Sequence, residues 1–254
     1  KNTEDAASAQ CGKGRFEEIE VTLPDNLQVI NAVGKSKEGE LTLIGYDNDN
    51  GKLYLAHSKD QGKTWSQKVR EIRDCYVAAV NGEDGSAAVF GYNKKSGMKR
   101  VSADGKVTKV NLQLPEYQAT GKESDDTENF VTSAVYADNK LFVTDLNWVV
   151  YEVNPQTGEM SKAFSDISEN VNRLIPAGTK FALKTDKGIQ FADAKSGALA
   201  ERMQNDDVLQ QAMGKFHDSG NSDSNNIAMT MGDSGYGLYY IDNDGLFDHM
   251  FGVR

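Results

Sequence analysis

Hydrophobic and polar residues alternate in short runs along most of the chain, the pattern expected of β-strands with one buried face. Each run is flanked by Gly, Asn, Asp or Ser, the residues that favour turns. Helical periodicity is confined to one short stretch, Asp206–Gly214. The pattern therefore predicts an all-β chain, built as a sandwich, a barrel or a propeller. The clearest runs are Glu40–Tyr46, Lys52–Ala56, Ala87–Tyr92, Lys140–Asp145, Val149–Val153, Lys180–Lys184, Gly188–Ala192, Asn226–Met231 and Gly237–Asp242.

A repeat decides among these three architectures. Five segments share the order strand, turn, strand, glycine-bearing turn, strand, and their turn glycines lie 39 to 53 residues apart. The two longest spacings contain polar insertions, Glu116–Glu128 and His217–Asn225. Without them the period is about 40 residues, which suits a four-stranded propeller blade. We therefore expect a β-propeller of about five four-stranded antiparallel blades. The five turns are Ser58–Trp65, Ser102–Val107, Asn154–Met160, Asp193–Leu199 and Asp242–Phe247.

One predicted strand, Phe16–Leu23, is left over when each repeat is given four strands. Two arrangements account for it: a five-bladed ring with an extra outer strand, or a segment of a larger ring. We expect residues 15–254 to form a single propeller domain. Residues 1–14 are small, polar and without periodicity, which is typical of a flexible linker.

The first glycine-bearing turn contains Ser58, Asp60, Gly62, Thr64 and Trp65 in the spacing S/T-x-D-x-G-x-T-W. This turn resembles the Asp-box (BNR) repeat of sialidases and related propellers. The resemblance implies a hairpin between the third and fourth strands of a blade, far from the catalytic face. It therefore implies a fold and not a reaction. Two other turns, Asn154–Met160 and Asp193–Leu199, are more similar to those of quinoprotein (PQQ-like) repeats.

A working sialidase would need three arginines, a Tyr–Glu pair and an acidic Asp, and no such set is recognisable. The closest match to the first arginine motif is Asn172–Pro176, which places Arg173 in an altered context. No nucleophile elbow G-x-S-x-G occurs. We therefore assign no catalytic residue and expect a non-catalytic propeller that binds a carbohydrate, peptide or protein. The candidate ligand contacts are Trp148, Arg173 and His217.

Two other functions stay open at this point. One is a divergent glycoside hydrolase or lyase with a site at the central channel, since many acidic residues allow a carboxylate pair. The other is a structural segment of a multidomain cell-surface protein. No Cys/His cluster suggests zinc, and we expect neither a metal nor a cofactor.

Composition narrows the partners and the compartment. The net charge of −10 disfavours nucleic acid, and no apolar run approaches the roughly 20 residues of a transmembrane helix. Cys11 and Cys75 form one disulfide or stay as free thiols. The polar segment at residues 1–14 is typical of a tether that follows a removed signal or lipoprotein peptide. We expect an extracellular or cell-surface protein, either secreted or held by a lipid anchor upstream of residue 1.

Overall fold

The structure is a computed structural model that describes residues 16–18, 30–35, 40–47, 51–60, 63–72, 77–91, 97–113, 131–145, 147–164, 166–167, 170–177, 180–185, 188–199, 227–232, 235–240 and 249–253. Every regular element within these ranges is a β-strand. The strands are β1 (Phe16–Glu18), β2 (Ile30–Lys35), β3 (Leu41–Asp47), β4 (Lys52–Ser58), β5 (Ser66–Glu71), β6 (Val77–Val80), β7 (Ala87–Phe90), β8 (Met98–Val101), β9 (Val107–Val110), β10 (Val131–Ala137), β11 (Lys140–Asp145), β12 (Val150–Val153), β13 (Met160–Lys162), β14 (Val171–Ala177), β15 (Lys180–Thr185), β16 (Gly188–Asp193), β17 (Ile227–Gly232), β18 (Gly235–Tyr240) and β19 (His249–Val253).

The strands are arranged in antiparallel modules that follow the chain order. Blade I is β2–β5, blade II is β6–β9 and blade III is β10–β13. Blade IV contains β14–β16, and within the described residues an isolated bridge between Ala192 and Leu199 lies on its outer side. Blade V contains β17–β19 and β1, and the parallel pair of Ala177 with Met229 joins it to blade IV.

The first strands of successive blades contact one another all the way round. Strand β2 contacts β6, β6 contacts β10, β10 contacts β14, and β14 contacts β17. Strand β17 in turn contacts β2, so the described strands close a ring of five blades. The chain is an all-β propeller, and the predicted fold class is confirmed.

The N-terminal strand completes the last blade. Strand β1 pairs with β19 in antiparallel register, Phe16 opposite Val253 and Glu18 opposite Phe251. It is therefore the fourth strand of blade V and not an extra outer strand, and the ring closes between β17 and β2 instead of continuing into a larger one. The equivalence expected for the fifth turn, Asp242–Phe247, is also wrong. These residues lie outside the described ranges, but the chain order puts them between β18 and β19, the second and third strands of blade V, whereas the other four turns follow a third strand.

The hydrophobic core lies between blades. Ile44 and Leu53 of blade I pack with Val80 and Val89 of blade II in one buried cluster. Similar clusters join blades II and III, and blades III and IV. Strands β6 and β7 are buried at every residue. These two strands are covered on both faces, which is why the alternating pattern gives way there to continuous apolar runs.

The outer strand of blade I holds the turn of the next blade. The side chain of Arg70 donates hydrogen bonds to the carbonyl oxygens of Gly105 and Asp104, the latter at 3.2 Å. The ammonium group of Lys68 donates to the carbonyl oxygen of Ala103 at 2.9 Å. Cationic side chains thus serve two purposes on this exposed strand, since Lys and Arg also discourage pairing with another chain.

Blades II and III repeat this contact with backbone groups. The N–H of Gln113 donates to the carbonyl oxygen of Gly158 at 2.7 Å. Gly158 has φ of 77°, and a Cβ there would overlap the carbonyl oxygen of Asn111. At Gly197, the matching glycine of blade IV with φ of 70°, a Cβ would meet no atom of the described residues within 4 Å. Glycine at the turn of blade III is therefore required by a close approach as well as by the left-handed backbone.

The Asp-box turn closes on the carboxylate of Asp60. This group accepts hydrogen bonds from the Thr64 hydroxyl at 2.6 Å, the Thr64 N–H at 2.8 Å and the Ser58 hydroxyl at 2.8 Å. These donors, Thr64 first, lower the pKa of Asp60 to about 2. Trp65 is half-buried, and Gly62 lies outside the described residues. In blade II the Ser102 hydroxyl donates to Asp104 in the same way and lowers the pKa of Asp104.

The turns of blades III and IV are built differently. Their first residue caps the turn: Asn154 Oδ1 accepts from the N–H groups of Gln156 and Thr157 at 2.9 and 3.1 Å. Asp193 Oδ1 likewise accepts from Lys195 and Ser196 at 2.9 and 2.8 Å. The described turns therefore fall into the two geometric groups that their sequences indicated.

The two turn glycines give a test of the close approach. We expect Gly197→Ala to cost about 1 kcal/mol, since only the left-handed backbone opposes a Cβ. We expect Gly158→Ala to cost about 1–3 kcal/mol more, because the backbone at Asn111 must also move. Urea unfolding of both variants measures the difference. Equal losses of stability in the two variants would contradict the role of the close contact between Gly158 and Asn111.

The carboxylate of Asp60 gives a second test, by pH. Because its pKa is lower in the folded chain than the ordinary 3.8, the stability it contributes is fully present above about pH 4 and is lost as the pH falls through about 2. The variant Asp60→Asn should be less stable than the original chain at pH 5, and the two should converge toward pH 2. Melting temperatures measured across this range check the expectation, and parallel profiles would contradict it.

Candidate functional site

The antiparallel order of the strands gives the ring two distinct ends. The turns between third and fourth strands, including the Asp box, lie at one end with the turns between first and second strands. The starts of the first strands lie at the opposite end, with the connections between second and third strands. The connection from β11 to β12 contains Trp148, and the start of β14 contains Arg173. We call this opposite end the Trp148 end.

Trp148 is the most exposed large hydrophobic residue that the structure describes, with 45% of its surface accessible. Its backbone lies in the left-handed region with φ of 59°. A bulky side chain rarely adopts this conformation, because Cβ then crowds the backbone. An exposed indole in a strained backbone is therefore an arrangement that packing among the described residues does not explain.

The carboxylate of Asp145 holds the Trp148 connection in place. Asp145 is buried, and its Oδ1 accepts hydrogen bonds from the N–H groups of Asn147 at 3.0 Å and Val149 at 2.9 Å. The carbonyl oxygen of Asp145 accepts from the N–H of Trp148 at 2.9 Å. Burial, together with the charge and hydrogen bond of Asp145, raises the pKa of the neighbouring Tyr151. Sequence reasoning missed Asp145 as a positioning residue, although Asp-x-Asn before an aromatic residue is a recognisable turn signal.

Phe164 has the same left-handed backbone conformation as Trp148, but the packing of its ring accounts for that conformation. Its φ is 55°, and its ring packs against Phe142 and Phe181 with centroid distances of 5.8 and 5.4 Å. The strain at Phe164 is offset by this aromatic cluster between blades III and IV. At Trp148 the side chain faces solvent, and no comparable compensation is present among the described residues.

The start of β14 is tied to blade III next to Trp148. The N–H of Val171 donates to the carbonyl oxygen of Trp148 at 3.3 Å, and the N–H of Leu174 donates to the Ser133 hydroxyl at 2.7 Å. A β-bulge between Val171 and Arg173 shifts the register at this point. Bulges re-aim side chains and commonly lie near functional sites. Blades I and III have bulges at the matching position of their first strands.

Arg173 follows this bulge and is buried, with 7% of its surface exposed. No described residue accepts a hydrogen bond from its Nε or Nη2 atoms. Burial lowers the pKa of Arg173 to about 10, so the guanidinium keeps its charge at neutral pH. An uncompensated buried charge costs several kcal/mol. The structure thus brings Trp148 and the Arg173 backbone to the same end of the ring, through the hydrogen bond between Trp148 and Val171.

The remaining residues singled out by the sequence are not placed. His217, Cys11 and Cys75 lie outside the described residues, as does the short helical prediction at Asp206–Gly214. Within the described ranges, no three His, Cys, Asp or Glu side chains come together as a metal site requires. In the same part of the chain, no helix reaches the length and apolarity of a membrane span.

Comparison with known proteins gives likeness in structure only. No family model and no curated protein matches the sequence. The computationally designed Ika8 protein is 10% identical, with a TM-score of 0.45 over 89% of this chain and 60% of that one. A Niastella koreensis GH74 enzyme is 12% identical, with a TM-score of 0.44 over 86% of this chain and 37% of the enzyme.

A third similar structure is YCF48 bound to the D1 peptide. It is 11% identical, with a TM-score of 0.40 over 89% of this chain and 78% of that one. With TM-scores below 0.5, these likenesses carry no statement about function. The fold assignment rests on the sheets, their register and the closure of the ring.

Fluorescence can test whether the hydrogen bonds of Asp145 fix the position of the connection that contains Trp148. We expect Asp145→Ala to destabilise the chain by about 1–3 kcal/mol, because two backbone N–H groups lose their acceptor. In a Trp65→Phe background, Trp148 is the single tryptophan. In that background, acrylamide should quench the emission of the Asp145→Ala variant more strongly than the emission of the chain that keeps Asp145. Asp145→Asn retains Oδ1 and should preserve most of the quenching behaviour. Identical quenching in the alanine variant would contradict the positioning role.

Proposed function

We propose that this chain is a non-catalytic ligand-binding propeller whose ligand docks on the Trp148 end of the ring. The observation that carries the proposal is the exposed indole of Trp148 in a left-handed backbone held by Asp145. Residues kept in unfavourable backbone conformations cluster at functional sites. An exposed tryptophan also supplies a large amphipathic surface with few rotatable bonds, which suits recognition of a sugar, a peptide or a protein loop.

The surrounding features support binding rather than chemistry. Asp145, the buried carboxylate that the structure describes beside Trp148, is engaged by backbone N–H groups. Its hydrogen bonds serve to shape the connection. A carboxylate committed in this way is a poor general acid or base, because a proton-transfer group must be free to reach the substrate.

The family, the domain boundaries and the location predicted from the sequence are also part of this proposal. We infer a member of the sialidase-type Asp-box propellers, with residues 15–254 forming one domain, exposed outside the cell or on its surface. The support for the family is the Asp60 turn, which closes as the Asp-box spacing leads one to expect. The support for the location remains the sequence of the N-terminal segment.

Screening identifies the ligand and tests the proposal. A glycan array and a peptide library are probed with the original chain and with Trp148→Gly. Glycine adopts the left-handed backbone freely, so we expect a melting temperature equal to or higher than that of the original chain. Binding of any ligand found should weaken at least about 10-fold, since a buried aromatic contact at an interface is commonly worth more than 1.4 kcal/mol.

Phe164→Gly is the matched control. It changes another aromatic residue with positive φ, but one that packs in the core, so it should lower stability by about 1–3 kcal/mol. A ligand that binds equally well to the original chain and to Trp148→Gly would contradict the proposal. Turnover of a chromogenic glycoside, with no ligand retained on either array, would favour the hydrolase alternative.

A further inference from the structure

The outer parts of blades I and II are basic, although the chain as a whole is acidic. In blade I, the third and fourth strands with their turn, residues 51–72, contain five Lys or Arg and two Asp or Glu. The matching part of blade II, residues 97–113, contains four Lys or Arg and one Asp. In blade III, residues 147–164 contain one Lys and two Glu, and the whole chain has a net charge of −10. Positive charge is therefore concentrated on two neighbouring blades.

Two cations of blade I face blade II. Arg70 lies opposite Leu53 and Lys68 lies opposite Leu55 in the pairing of β5 with β4. Residues directly opposite each other project from the same face of a sheet. Both leucines pack in the buried cluster shared with blade II. The hydrogen bonds from Lys68 and Arg70 to the turn of blade II agree with this direction.

Two lysines of blade II face blade I in return. Lys109 of β9 lies opposite Lys99 of β8, and Lys99 lies opposite Val89 of β7. Val89 packs in the same buried cluster with blade I. Like charges directly opposite each other destabilise a sheet, so blade II itself gains no stability from this pair. We call the space between β5 and β9 the I–II crevice.

An exposed valine separates two cationic levels of the I–II crevice. Val107 projects from the same face of β9 as Lys109, and 36% of its surface is accessible. Beyond Val107 lies the turn that Lys68 and Arg70 bind, where the carboxylate of Asp104 offsets part of their charge. Side chains on one face of a strand follow one another at about 6.6–6.8 Å. The crevice therefore presents positive charge, an apolar surface and positive charge in successive steps.

We propose that the I–II crevice binds an extended acidic segment of a partner protein, with acidic residues at positions i and i+4 and an apolar residue at i+2. An extended peptide presents these three side chains on one face with the same step as β9. One carboxylate meets Lys99 and Lys109, and the apolar side chain covers Val107. The inference goes beyond the proposed function, because this surface lies on the outer side of two blades and not at the Trp148 end.

The second carboxylate meets Lys68 and Arg70. Each of these side chains already donates to carbonyl oxygens of the turn, which fixes its position. An ammonium group has three N–H donors and a guanidinium has five. The bonds to the turn therefore leave donors on both side chains for a ligand.

Shape and charge favour a short peptide segment over a membrane or a long polyanion. A flat bilayer reaches the tips of exposed side chains but does not enter between two strands. A polyanion or an anionic membrane is repelled by the net charge of −10. A segment with two carboxylates interacts mainly with the cations beside it, since charges are screened beyond about 8 Å at physiological ionic strength.

Fluorescence anisotropy with short labelled peptides tests the site. The probe has seven residues and blocked ends, with Glu at the second and sixth positions, Leu at the fourth and Thr elsewhere. One control peptide has Gln in place of both Glu residues, and another has the two Glu residues side by side. We expect the first control to bind at least about 10-fold more weakly and the second at least about 3-fold more weakly. The Kd of the probe should rise at least about 10-fold between 50 and 500 mM NaCl.

Charge reversal at Lys109 identifies the surface responsible. Lys109→Glu places an opposite charge beside Lys99, so its melting temperature should equal or exceed that of the original chain. Its affinity for the probe should fall at least about 10-fold. Lys162→Glu is the matched control, because Lys162 is an exposed lysine on the outer strand of blade III. This variant has the same net charge as Lys109→Glu and should keep the affinity of the original chain within about 2-fold.

The outcomes separate this inference from the proposed function. Trp148→Gly should bind the probe as the original chain does, so the two surfaces succeed or fail independently. No binding of the probe, equal binding of the Gln peptide, or undiminished binding by Lys109→Glu would each overturn the inference. Binding to phosphatidylserine vesicles or to heparin without binding to the probe would overturn it as well, and would assign the crevice to a membrane or to an anionic glycan.

Discussion

The structure depends on the burial of each blade by its neighbours. Among the described side chains, each buried cluster contains residues of two blades, such as Ile44 with Val89 or Phe142 with Phe181. A chain of such modules leaves two apolar faces uncovered unless its ends meet. The contact of β17 with β2 and the pairing of β1 with β19 satisfy that requirement. Ring closure is thus the condition under which the hydrophobic effect stabilises every blade.

Neighbouring blades contact one another differently in the inner and the outer parts of the ring. Strands β6 and β7 of blade II are apolar and buried at every residue, and their small side chains leave room for close packing of the neighbouring blades. At the periphery the contacts are polar. Arg70 and Lys68 bind the turn of blade II through its carbonyl oxygens, and Gln113 binds the turn of blade III. Those turns therefore serve as docking points between blades, which explains why a Cβ is excluded at Gly158 but not at Gly197.

Two features at the Trp148 end are not explained by contacts among the residues that the structure describes. An exposed indole occupies a backbone conformation that disfavours it, and a buried guanidinium has two donors without an acceptor among the described residues. Each is expected to lower the stability of the chain. Features of this kind are expected where a protein is organised around a ligand. The first strand of blade IV links the two features. The N–H of Val171 donates a hydrogen bond to the carbonyl oxygen of Trp148, and Val171 lies two residues before Arg173.

The sequence by itself determined the strands, the repeat and the closure of the Asp-box turn, because alternation, turn residues and side-chain capping act over a few residues. The run predicted at Lys140–Asp145 is the strand observed, and Asp60 accepts hydrogen bonds from the turn as its position requires. It also indicated Trp148 and Arg173 as candidate contacts, but not Asp145 and not the difference between Gly158 and Gly197. Only the tertiary structure decided the partner of the N-terminal strand, the inequivalence of the fifth turn and the burial of Arg173. These depend on residues far apart in the chain that meet only when the ring has closed.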